Sequence, residues 1–169
     1  MIVQRSVYSQ KNGSSGQGGS HTDDAALLPN ATPGLESINR YWDPIIANPS
    51  AKLMPGEYYL TCTGEQLVTT LMSTVAIHLR DARLSIDGMI HFSLPPAFAR
   101  VSCRQSGLEY GRAAMDTLVH GMIRLGAYRR NIQASIVGGA SLWSCCDVGA
   151  MTSKFSEEYL GEQGIDIIN

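Results

Sequence analysis

A chain of 169 residues with 44% apolar residues has the size and composition of one packed domain with some extra length. Its formal charge of -2 offers no basic footprint for a phosphate backbone, so nucleic acid is not an expected partner. No apolar run reaches bilayer length, and Met1-Ile2-Val3-Gln4-Arg5-Ser6 lacks the apolar core of a signal peptide. The expectation is a cytoplasmic protein without membrane insertion.

From Gln10 to about Pro33 the chain is rich in Ser, Gly and Asn and poor in large apolar residues, a composition that cannot offset its own ordering entropy. Residues 1–39 are therefore expected to be a disordered Ser/Gly-rich leader, with the domain spanning 40–169. His21 with Asp23 and Asp24 falls in this solvated stretch and is not read as a metal site. Tyr41-Trp42 is the first docking point, Pro44, Pro49 and Pro55 punctuate an irregular connection, and the folded unit is expected from about Pro55.

Glu57-Tyr58-Tyr59-Leu60 reads as a short strand and Gly64-Glu65 as a turn. From Thr74, the residues Val75, Ile77 and Leu79 alternate with Ala76, His78 and Arg80, the period of a half-buried strand. Asp81-Ala82-Arg83 makes a hairpin turn, and the return strand, Leu84 to Leu94, brings His91 back beside Thr74. Ala114, Leu118, Met122 and Leu125 recur at helical spacing between Tyr110 and Leu125, with Gly126 as the stop. Asn131 to Val137 reads as a strand ending in Gly138-Gly139, Ala150 to Leu160 as a second helix with Met151, Phe155 and Tyr159 on one face, and Asp166-Ile167-Ile168 as a last strand. This order predicts an α/β fold, helices packed on a mixed β-sheet.

Cys62, Cys103, Cys145 and Cys146 have no metal-ligand spacing and read as reduced, buried thiols. Among the histidines, His78 on the polar side of its strand and His120 on the first helix read as surface residues. His91, within the apolar segment Met89-Ile90-His91-Phe92, is the candidate base, since hydrolysis at neutral pH needs a nucleophile activated by a neighbour.

Five segments in fixed order then carry a resemblance. They are Leu71-Met72-Ser73-Thr74-Val75, Asp81, Asp87-Gly88-Met89-Ile90-His91-Phe92 with Leu94-Pro95, Tyr110-Gly111 with Ala114-Met115, and Gly138-Gly139-Ala140. Pro55-Gly56-Glu57-Tyr58-Tyr59 and Arg40-Tyr41-Trp42-Asp43 precede them. Together they resemble CheD, the bacterial chemoreceptor glutamine deamidase family, over most of the chain from Arg40 to Ile168.

The resemblance implies a CheD-like deamidase fold and a hydrolase of glutamine side-chain amides on methyl-accepting chemoreceptors, producing glutamate through a thioester. It puts His91 in the role of base and Thr74 at the position of the nucleophilic cysteine. The family's third active-site residue, a threonine, corresponds to Thr69 or, on strict counting, to Val68. No cofactor or metal is implied.

Two departures predict loss or impairment of this activity. A thiol is partly ionised near neutral pH whereas an alcohol is not, and Thr74 is internal and β-branched. Met72 stands where the family has glycine, so a bulky thioether is expected to strain the turn or fill the pocket. The family also continues beyond the position of Asn169, which implies a sheet without its carboxyl-terminal strands. The alternative function is that of a pseudoenzyme that binds receptors or a CheC-like phosphatase.

Overall fold

A computed structural model of the chain describes residues 2–5, 28–94, 104–140 and 147–168, with side chains from 28–94, 110–140 and 147–168. Among the described residues, nine strands form two mixed sheets. The first has four: β1 (Ile2–Arg5), β2 (Asn39–Asp43), β3 (Asn48–Leu53) and β5 (Gln66–Leu71), in the order β1-β5-β3-β2. The second has five: β4 (Tyr58–Thr61), β6 (Val75–Asp81), β7 (Ile86–Phe92), β8 (Ile132–Gly138) and β9 (Asp166–Ile167), in the order β4-β7-β6-β8-β9.

Alternation along β7 divides the five-stranded sheet into two working faces. A side chain at Gly88 would collide with Leu60, Met122 and Leu118, so this face lies tight against helix α1 (Arg104–Arg124). Met115, Leu118, Val119 and Met122 are buried there. The helix ends as its sequence predicts: Gly126 has φ +104°, its N–H donates to Ile123 O, and Ala127 N–H donates to Met122 O. Helix α2 (Val148–Glu162), begun by Asp147 accepting from Ala150 N, packs beside α1 through Tyr159, whose hydroxyl donates to Asp116. The opposite face of β7 carries Met89 and His91 and turns toward the four-stranded sheet, where Thr69 of β5 meets His91. The result is helices, five-stranded sheet and four-stranded sheet in layers.

The α/β class with a mixed sheet is what the sequence predicts; the additional four-stranded sheet is not. Pro49 lies within β3, and β2 and β3 form a hairpin (Asp43 opposite Asn48) where an irregular connection was expected. Folding therefore starts well before Pro55. Within the stretch expected to be a disordered leader, residues 2–5 pair antiparallel with β5, and Leu35 and Ile38 are buried; residues 6–27 lie outside the described residues. His21, Asp23, Asp24, Cys103, Cys145 and Cys146 do too. Among the described residues, no helix is long and apolar enough to cross a membrane.

Candidate active site

Three strands and one bend build the site. The β6–β7 hairpin pairs Ala76 with His91 and Val75 with Phe92, so the residue just before β6, Thr74, lies next to the end of β7. This is the juxtaposition that the hairpin pattern predicts. The layer contact adds Thr69 from the middle of β5, on the face that looks toward β7. Val68, the other residue that counting allowed, points by alternation to the opposite face and makes no such contact.

His91 is 1% exposed, and both ring nitrogens are engaged. Thr69 has a single hydroxyl proton, which it donates to the Leu53 carbonyl over 2.9 Å. Its 2.8 Å contact with His91 Nδ1 therefore has the ring N–H as donor. That fixes the Nδ1–H tautomer and leaves the Nε2 lone pair facing Thr74, whose Oγ1 donates to it over 2.6 Å. Burial pushes the His91 pKa below its ordinary value of 6.5, while the Leu53 carbonyl and the Glu57 carboxylate pull the other way. The imidazole is thus neutral at pH 7, the protonation state a general base needs.

The Gly138-Gly139 turn holds the bend that presents Thr74. Gly139 N–H donates to Thr74 O over 3.0 Å, and Gly138, at φ +106°, passes so close that a Cβ would lie 2.4 Å from the same oxygen. Only glycine combines that backbone angle with that approach.

The family model described as "CheD chemotactic sensory transduction" matches residues 94–169. The "probable chemoreceptor glutamine deamidase CheD" of Halorhodospira halophila is 35% identical over 156 residues, covering 89% of this chain and 72% of the relative. That of Saccharophagus degradans is 35% identical over 153 residues, 86% of this chain and 70% of the relative. "CheD 1" of Dechloromonas aromatica is 39% identical over 136 residues, 78% and 67% respectively.

The chain belongs to the CheD family.

Several expectations for this CheD chain need correction. Met72 neither strains its turn nor fills a pocket: its backbone is outside the positive-φ region and its side chain is 65% exposed. Cys62 is exposed rather than buried. His78 is not a surface residue; its strand face turns toward the four-stranded sheet, and its Nε2 lies 2.9 Å from Asp87 Oδ1. His120 is exposed. Among the described residues no group of three or more His, Cys, Asp or Glu side chains could hold a metal ion.

Sequence reasoning missed the groups behind His91. Leu53 supplies a carbonyl, which no side-chain motif can report. Glu57 follows Pro55-Gly56, a pair that signals a type II turn, and Gly56 indeed has φ +89°. That turn was legible; its contact with the His91 strand was not.

Proposed function

We propose that this CheD-family protein engages methyl-accepting chemoreceptors from the cytoplasm through the site formed by Thr74, His91 and Thr69. Hydrolysis of receptor glutamine amides is lost or strongly impaired in it, so that it serves as a receptor-binding regulator. The observation that carries the reading is the hydroxyl, rather than a thiol, 2.6 Å from His91 Nε2.

In the family reaction a sulfur attacks the amide carbon, the imidazole takes the thiol proton and returns it to departing ammonia, and water releases glutamate from the acyl-enzyme. The neutral, oriented His91 supports the proton-handling half of that sequence. Thr74 would have to lose its proton during the attack itself, since an alcohol holds no ionised fraction near neutral pH to begin from. The acyl-enzyme would then be an ester. Side chains alone supply nucleophile and base, so no cofactor enters. Binding of a CheC-like phosphatase belongs to the same regulatory reading.

A second reading, a slow threonine-dependent deamidase, is favoured by the short Thr74–His91 hydrogen bond. The two separate on mass spectrometry of cytoplasmic receptor helices incubated with the wild type, Thr74→Cys and His91→Ala, alongside a binding measurement. The regulator reading expects binding by all three folded proteins and glutamate formation only with Thr74→Cys. Glutamate formed by the wild type and abolished by His91→Ala would overturn it in favour of the second. Absence of binding by every variant would remove the receptor assignment itself.

A further inference from the structure

The hydrogen bonds at His91 do not stop at Thr69. Thr69 donates to the carbonyl oxygen of Leu53, and the N–H of that same peptide group, Met54 N, donates over 2.8 Å to Glu57 Oε2. From end to end the chain runs Thr74 Oγ1, His91 Nε2 and Nδ1, Thr69 Oγ1, the Leu53–Met54 peptide, and the Glu57 carboxylate, with donor–acceptor distances of 2.6, 2.8, 2.9 and 2.8 Å. Every donor points the same way, from the nucleophile position toward the carboxylate. An anion accepting from a peptide N–H polarises the carbonyl on the other side of that peptide, and successive hydrogen bonds of one sense reinforce one another.

The backbone closes the same loop. Gly56 N–H donates to His91 O over 2.7 Å and His91 N–H donates to Glu57 O over 3.0 Å, making Glu57 the direct cross-strand neighbour of His91. Directly opposed residues put their side chains on the same face of the sheet. The turn that carries Glu57, closed by Glu57 N–H donating to Met54 O over 3.0 Å, therefore grips both the main chain of His91 and the peptide that its ring reaches through Thr69.

We propose that Glu57 is a positioning residue, the anionic end of a hydrogen-bond relay through the Leu53–Met54 peptide and Thr69. Through it, Glu57 sets the tautomer and basicity of the imidazole that faces Thr74. The relay does for His91 what a directly bonded carboxylate does for a catalytic histidine elsewhere, with a peptide group and a threonine interposed. It rests on the site reading proposed above only in taking His91 as the base; the relay's own physical signature needs no receptor.

Other charged or titratable groups share the His91 face by alternation, and each has a partner. His78 is bound to Asp87, while Tyr59 is tied to Glu65 and, through it, to Arg40. Arg80 lies at the far end of β6, opposite Asp87. Glu57 is the carboxylate whose charge stabilises the protonated His91 ring.

Long-range nitrogen–proton NMR of the imidazoles tests the relay on the full chain. Glu57→Gln keeps an oxygen to accept from Met54 N and removes the charge. The relay expects His91 to titrate lower by roughly half a unit or more and the Nε2–H tautomer to gain population. If Glu57 merely staples its turn, Gln rescues it: an unchanged His91 pKa and tautomer in the folded variant overturns the proposal. Should Glu57→Gln fail to fold, the wild type suffices, because the Met54 amide and the His91 ring must then report one common inflection across an acid pH series. Separate inflections overturn the relay equally. Adding Thr74→Cys supplies a second readout, since the thiol should alkylate with a higher apparent pKa when Glu57→Gln is also present. A relay intact by NMR in a protein that binds no receptor would refute the receptor reading alone.

Discussion

Replacing Thr69 by valine removes one oxygen and keeps the shape of the side chain, yet it should loosen both the protein and its histidine. Thr69 is fully buried, as is Leu53, and His91 is 1% exposed, so the Leu53 carbonyl and the His91 Nδ1–H each lose a partner where water cannot replace it. A buried polar group left unpaired costs about 1–3 kcal/mol. The Leu53 carbonyl already acts on the His91 proton, so the two orphaned groups can partly satisfy each other. A net loss of about 1–3 kcal/mol follows, rather than twice that. For a chain of this size that lowers Tm by roughly 3–9 °C in a calorimetric scan. Thr69→Ser should restore most of the stability, and Thr70→Val, on the other face of β5, should stay within about 0.5 kcal/mol of the wild type. If Thr69→Val melts within roughly 1 °C of the wild type, a span below 0.5 kcal/mol, the inferred hydrogen-bond chain is wrong.

Three further outcomes follow from the same geometry. Gly138→Ala forces a Cβ to 2.4 Å from Thr74 O at a φ of +106°, so it should destabilise by about 2 kcal/mol or more in urea titration and break the Thr74–His91 contact. Thr74→Cys should place a thiol beside His91 Nε2 with a pKa about one or more units below the ordinary 8.5, read as the pH dependence of alkylation. His91 binds its proton less readily folded than unfolded. Its share of stability is therefore complete above the ordinary value of 6.5 and declines as pH falls through that value toward the folded pKa, and His91→Gln should flatten that part of the pH–stability curve.

What the sequence revealed and what it concealed have physical reasons. The β6–β7 hairpin was legible because the large aliphatic residues Val75, Ile77 and Leu79 alternate with Ala76 and His78, and that register brought His91 back to Thr74. Helix α1 was legible from its 3.6-residue stripe and glycine stop. The strand β5 was not, because Gln66–Leu71 is buried almost throughout and shows no alternation, as befits a strand covered on both faces. Pro49 obscured β3, yet it precedes the Ser50–Leu53 stretch that pairs with β5, so its missing N–H interrupts no bond there. Thr69 was findable only by resemblance, since its role depends on a contact between two sheets that share no local pattern. Met72 works in the opposite direction: a side chain in place of glycine predicts strain, whereas the bend accommodates one that points into solvent.

The most direct test compares single-turnover glutamate formation by the wild type and by Thr74→Cys at saturating receptor helix. His91 is the base in both proteins, so the difference lies in the nucleophile: a thiol partly ionised beside His91 is ready before substrate binds and the native hydroxyl is not, and Thr74→Cys should form glutamate clearly faster than the wild type. A wild type as fast as Thr74→Cys would contradict this account.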